Sequence, residues 1–213
     1  HADIGKIDEK DDDVNITVNG TVTGNADNVK AFNALGAATK GTVKATVSGN
    51  IADLDDLTKT ADLIADMELA ITVANTATAA AGVKVVDATT ATTVNFSAGG
   101  ITDDFDKVTD GTGIHADIGK IDEKDPDVNI TVNDTVTVTG DNVLAFNALG
   151  AATTGTVKAT INGNIAELDD LTATKKPECV SKAKLTTPTP PLPSSFINLY
   201  LLPNFGNAIT IQL

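Results

Sequence analysis

The residues with the greatest chemical potential in this sequence are carboxylates set a few positions apart, just ahead of two β-branched runs. Asp8, Asp11 and Asp13 form one cluster with Glu9 and Asp12, and Asp122, Asp125 and Asp127 form another with Glu123. Ca²⁺ takes six to eight oxygen ligands at about 2.3–2.6 Å. These six aspartates are therefore the candidate ligands of a structural Ca²⁺ ion, the one cofactor the sequence suggests. The spacing is neither that of an EF-hand loop, with its central Gly and closing Glu, nor that of the GGxGxDxUx nonapeptide of calcium-binding β-helices. The competing reading is that a charge run forms a solvated face or a helix N-terminus. Further acids stand at Asp53, Asp55 and Asp56, matched by Glu167, Asp169 and Asp170, and at Asp103, Asp104, Asp106 and Asp110.

A second set of polar residues recurs on the outward side of the β-branched runs. Stacked strand on strand, one column reads Thr17, Thr46, Thr72, Asn95, Thr131 and Thr160. Asn19, Asn133 and Asn162 belong to the next column, with Ser48, Ala74 and Ser97. Neighbours in a parallel sheet lie about 4.7–4.9 Å apart, so such columns make a face of hydroxyl and amide groups able to adsorb a periodic ligand such as a glycan or ice. Thr also has high β-propensity and bonds well to Thr on the next strand, which is reason enough for its presence. Lys44 and Lys158 interrupt the flatness of the array.

Nothing assembles a catalytic set, and the expectation is that the chain is not an enzyme. His1 and His115 occupy one repeat position 114 residues apart. That places them several layers from each other, so they share no metal and form no dyad. No Ser stands in a nucleophile-elbow context, and Cys179, the single cysteine, has no His partner in the repeat scheme. GTGIHADIGK at 111–120 has glycines without the order of a phosphate-binding loop.

Composition narrows the classes further. The formal net charge is −14 and every basic residue is Lys. Nucleic-acid binding needs a positive surface to displace counterions, so that class is excluded. Aromatics are 3% and Trp is absent, so the core must come from Ala, Val, Ile and Leu, side chains suited to narrow, regular layers. A single Cys rules out an intrachain disulfide without fixing a compartment. No basic-then-apolar signal segment opens the chain. Since its first residue falls inside a repeat, it is expected to be part of a longer protein.

The elements that position these residues come from duplication. Residues 1–58 and 115–172 are identical at 48 of 58 positions. Within that 114-residue period the runs VNITV (14–18), TVKATV (42–47), LAITV (69–73), TTVNF (92–96), VNITV (128–132) and TVKATI (156–161) recur at steps of 29, 26, 23, 36 and 29 residues. The long repeat is thus four copies of a unit of about 28 residues. Each run alternates, with Val14, Ile16 and Val18 to one side and Asn15, Thr17 and Asn19 to the other, as in a half-buried strand. Between runs the apolar spacing becomes three or four. Val29, Phe32 and Leu35 do this, as do Ile51, Leu54 and Leu57, then Ile101, Phe105 and Val108, then Ile114, Ile118 and Ile121, which predicts short amphipathic helices. Helix starts are expected at Asp27 or Asn28 and at Asn50, and Gly36 should weaken or end the first helix.

Strand and helix alternating at this period predict an α/β fold: a right-handed solenoid of strand–short-helix repeats with a parallel sheet over 1–172. A parallel β-helix is the alternative. Residues 173–213 hold six of the seven prolines and break the pattern. They read as a cap, a linker or a non-native ending. The apolar ending FINLYLLPNFGNAITIQL, broken by Pro203 and Gly206, is a poor membrane span.

GTVKATVSGNIADLDDLT (41–58) and GTVKATINGNIAELDDLT (155–172) resemble the tandem Thr/Ala/Asp-rich repeats of very large secreted or cell-surface proteins of marine bacteria, cyanobacteria among them. The resemblance covers about 1–172. It implies an extended extracellular or cell-surface region, often in calcium-rich seawater proteins, and brings no catalytic residues with it. The expected function is a structural repeat segment, a spacer or adhesive region. The alternatives are a filament subunit stacking end to end and a glycan- or ice-adsorbing module. The expected partners are neighbouring repeats or copies of the chain itself, with glycan as a further candidate.

Overall fold

A computed structural model describes residues 12–96 and 98–172. In chain order the elements are β1 (Ile16–Gly24), α1 (Ala26–Ala38), β2 (Thr42–Gly49), α2 (Ile51–Leu54), a 3₁₀ turn (Thr60–Asp62), β3 (Asp66–Val73), α3 (Ala79–Asp87) and β4 (Val94–Asn95). There follow β5 (Ile101–Asp103), α4 (Phe105–Val108), β6 (Thr109–Asp110), β7 (Gly113–Ile114), α5 (Ala116–Lys124), β8 (Ile130–Thr137), α6 (Gly140–Ala152), β9 (Val157–Asn162) and α7 (Ile165–Leu168). The fold is mixed α/β with parallel sheets. One sheet runs β1-β2-β3-β4 and a second β5-β8-β9, with a parallel bridge between Ala77 and Ile101.

The alternation read from the sequence sets which side chains are inside. In β2, Val43, Ala45 and Val47 are buried while Lys44 and Thr46 are exposed. In β8, Val128, Ile130 and Val132 are buried ahead of and along the strand. Each Ile or Leu fully withdrawn from water, such as Leu69, Ile101, Ile130 and Ile161, contributes about 1.5–3 kcal/mol. Helices α1 and α6 add Val29, Phe32, Val143, Phe146 and Leu149 to the same core.

Four expectations need correction. The first helix starts earlier than Asp27, with Asn25 as its cap accepting from the Asn28 amide at 3.0 Å. It also runs through Gly36 to Ala38. Gly36 is there for proximity: a Cβ on it would lie 2.7 Å from Leu63 Cδ1 and 2.8 Å from Met67 Sδ. The second helix does start at Asn50 as expected, with Asn50 in the cap position, although its side chain makes no capping bond. Ile101 lies in a strand and not on a helix, and the antiparallel hairpin β6–β7 separates the two expected helical stripes of this region.

The fourth correction concerns sheet order. TTVNF was expected to lie next to the second VNITV run. β8 instead pairs with β5, Ile101 facing Ile130 and Thr102 facing Thr131. The chain turns between β4 and β5: Gly100 N–H donates to Phe96 O at 2.8 Å, and Gly100 has φ +65°. A side chain there is excluded twice, by the left-handed backbone and by Asn129 O only 2.2 Å from an added Cβ.

Candidate functional site

The outward residues of the sheets do not form the continuous Thr column expected from the sequence. Thr17 stands opposite Lys44, not Thr46. Thr46 lies between Thr21 and Ala70, and Thr72 between Ser48 and Asn95. In the second sheet Thr131 lies between Thr102 and Lys158, Thr160 opposite Thr135, and Asn162 opposite Thr137. Only Thr72 and Asn95 are neighbours as expected. The strands pair two residues away from the expected match, and an irregularity follows in β1 between Thr17 and Thr21 and in β8 between Thr131 and Thr135. It sets the three residues Val18, Asn19 and Gly20 against Ala45 alone. Extra residues of this kind bend a strand and interrupt its ladder. Gly20, with φ +79°, supplies the conformation in β1.

Thr17, Thr46, Thr160, Asn19, Asn133 and Asn162 are exposed, and Asn95 is exposed with a partner of its own, while Thr72 and Thr131 are half-buried. Thr17, Asn19, Thr21, Lys44, Thr46 and Glu68 line a shallow open groove of about 580 Å³ on the outer face. Lys44 Nζ donates to Glu68 Oε2 at 2.7 Å across it, and that bond holds the ammonium above its usual pKa.

The acidic residues are dispersed. Asp8 and Asp11 lie outside the described residues, and Asp13 is exposed. Asp122 lies in α5 and Asp125 and Asp127 follow its end, where the Asp125 and Asp127 side chains share a hydrogen bond. Among the described residues no group of three or more Asp, Glu, His or Cys is placed to hold a metal ion. Asp125 is buried, at 5% exposure. Its Oδ2 accepts from the Phe96 amide at 2.6 Å. Burial, and then a hydrogen bond with Asp127, push its pKa up to about 6, against the opposing pull of the Phe96 amide. Burial also raises Asp122, whose Oδ1 is buried with no hydrogen-bond partner among the described residues. His115 caps α5, its Nδ1 accepting from the Asp117 amide at 3.2 Å; His1 and Cys179 lie outside the described residues.

The polar residues that the structure does bring together are ones the sequence reading passed over. Thr39, Thr89 and Thr153 are buried, each at the turn from a helix into a strand. The Thr39 hydroxyl reaches Val14 O at 2.8 Å and accepts from Gly41 N at 3.0 Å. Thr153 does the same with Val128 O (2.7 Å) and Gly155 N (2.9 Å). Thr89 reaches Leu69 O (2.8 Å) and accepts from Ala91 N (3.0 Å). The signal was visible as Ala-Thr-x-(Gly/Ala)-Thr at 38–42, 88–92 and 152–156.

Amide and carboxylate side chains make a second set of links. Asn33 Nδ2 donates to Asp56 O (2.9 Å) while its Oδ1 accepts from Thr58 N (2.8 Å). Asn147 repeats this with Asp170 O (3.1 Å) and Thr172 N (2.9 Å). Asn75, Asp103 and Asp134 each accept from the first amide of a helix earlier in the chain, at Ile51, Ala79 and Phe105, 24 to 29 residues away. Helix N-termini carry amides with no partner inside the helix, and here the following strand region supplies one.

The chemistry of this arrangement is cohesive: hydroxyls and amides bridge successive strand–helix units. Comparison with known proteins found no matching family model, no matching curated protein and no matching solved structure.

Proposed function

We propose that the chain is a structural repeat segment, a spacer or adhesive region of an extracellular surface protein, in which residues 1–172 form a right-handed solenoid of strand–helix layers of about 28 residues. The observation that supports this is the recurrence of the bridging bonds. Thr39 and Thr153, Asn33 and Asn147, and Asn15 and Asn129 make the same contacts in the two copies of the repeat. Repeats of this kind bury a core by stacking and draw stability from nearest-neighbour interfaces. Side chains that hold one layer to the next are what such an architecture requires. In this reading the role is mechanical and the chain carries no catalytic centre.

Small-angle scattering tests the architecture. A chain extended by one more copy of residues 59–172 should be longer by about 19 Å, four strand spacings of about 4.8 Å. A maximum dimension that fails to grow would overturn the solenoid. Antibody labelling of intact source cells tests the location, and signal appearing only after lysis would remove the surface role.

A further inference from the structure

We propose that β1 and β9 are pairing edges for a second copy of this chain, β9 of one molecule adding in parallel to β1 of the next, head to tail. Among the described residues no strand pairs with the outer edge of either. An unpaired edge is a row of free N–H and C=O groups and a template for another strand. This inference rests on strand pairing and is independent of the spacer role.

The duplication displays each edge in its paired state. Asn129–Val132 of the β8 region repeats Asn15–Val18 of the β1 region. On β8 that edge receives β5, with Ile101 N–H donating to Asn129 O at 2.8 Å. Likewise β9 repeats β2 apart from Ile161 for Val47 and Asn162 for Ser48. On β2 the corresponding edge receives β3 at every position from Thr42–Asp66 to Gly49–Val73. Both ends therefore carry a backbone edge and a side-chain pattern that this chain pairs in parallel elsewhere. Joining β9 to β1 keeps all strands parallel and continues the apolar row of Val157, Ala159 and Ile161 into Ile16 and Val18.

The ladder also identifies the backbone groups concerned. In the β8 region Asn129 O faces β5, whereas Ile130 N–H faces Thr156 O beside β9. Facing alternates along a strand, so Thr131 faces β5. By the same pattern Asn15 and Thr17 face the free edge of β1, and Val157, Ala159 and Ile161 that of β9. The β5–β8 pairing spans three residue pairs before the irregularity in β8. The contact through β1 is correspondingly short, and association is concentration-dependent. Two molecules of net charge −14 repel each other, so added salt should strengthen it.

Sedimentation of the full chain from low micromolar to millimolar concentration, at low and high salt, reads this out. Thr17→Pro removes an outward amide of β1 and Ala159→Pro one of β9, substitutions that edge strands tolerate. Each variant alone should be monomeric, while an equimolar mixture should form a heterodimer that grows no further, since each partner retains one open edge. Wild type that stays monomeric throughout, or single variants that still self-associate, would overturn the proposal. Hydrogen exchange on wild type gives a readout that needs no variant. The amides of Thr17, Ala159 and Ile161 should become more protected as concentration rises, and unchanged exchange counts against the pairing.

Discussion

The carboxylate of Asp125 accepts the amide proton of Phe96 at 2.6 Å, joining the end of α5 to the turn that follows β4 across 29 residues of sequence. It is a buried acid held by the backbone amides of Phe96 and Asp127 and by a second carboxyl group, that of Asp127. Its titration is tied to the fold. In the unfolded chain it loses its proton near the ordinary 3.8, and in the native state only near 6. Below about pH 4 both states hold the proton and the native state has its full contribution. From about 4 to 6 the native state holds a proton that the unfolded state has released, so stability falls as pH rises. Above that window the contribution is gone. Asp125→Asn keeps an acceptor for Phe96 and cannot titrate. The stability of wild type relative to this variant, from urea unfolding, should therefore decline between pH 4 and 6. A difference that is constant across that range would contradict the assignment.

Thr89 is the most fully engaged of the buried threonines, accepting from Leu69 N (2.8 Å) as well as Ala91 N. Thr89→Val keeps the shape and removes the hydroxyl. The stranded amides should lower stability by about 1–3 kcal/mol, measured by chemical denaturation. Thr89→Ser should recover most of that loss, and a Val variant as stable as wild type would show that the hydroxyl does not hold the layers.

Two helical glycines should respond to Ala in opposite directions. Replacing Gly by Ala inside a helix gains up to about 1 kcal/mol. At Gly119, where a Cβ would meet only Ile114 Cδ1 at 3.7 Å, that gain should appear as a higher melting temperature. At Gly36 the new methyl would collide with Leu63 and Met67. Overpacking of that kind costs about 1–3 kcal/mol, so Gly36→Ala should melt lower. Equal shifts at the two sites would sink the packing argument for Gly36.

Asp103 accepts from the first amide of α3 at 3.0 Å, while Thr78 caps the same helix locally through Ala81 N. Removing a single capping acceptor costs about 0.5–2 kcal/mol. Asp103→Ala and Thr78→Ala should each lie in that range and add nearly independently, since they serve different amides. A double-mutant cycle checks it, and strong coupling would show that the two caps act as one.

The strand and helix periods, the 114-residue duplication and the inward set of Val, Ile and Leu were legible because each depends on spacing within a few residues. Ile16, Ile130, Val43 and Val157 lie on the side that alternation assigns them. What failed was alignment between strands. Likeness alone matches VNITV to TVKATV and so places Thr17 beside Thr46. The structure sets Thr17 beside Lys44, then inserts extra residues before Thr21 meets Thr46. At β2–β3 it shifts the match by two, Thr46 facing Ala70. Shifts of two leave every side chain on its own face, because strand side chains alternate with period two. The core assignment therefore survived an error that broke up the expected ligand column.

The sequence by itself determined that this is a duplicated chain of alternating strands and short helices, with an aliphatic interior and an acidic exterior. Those properties follow from local period and composition. The tertiary structure alone decided which strand lies beside which, where the ladder slips, and that Thr39, Thr89 and Thr153 belong inside. A buried hydroxyl is stable only where carbonyl and amide partners meet it. Those partners include carbonyls 20 to 25 residues away on the adjacent strand region, which the recurring Ala-Thr-x-(Gly/Ala)-Thr pattern marks without placing.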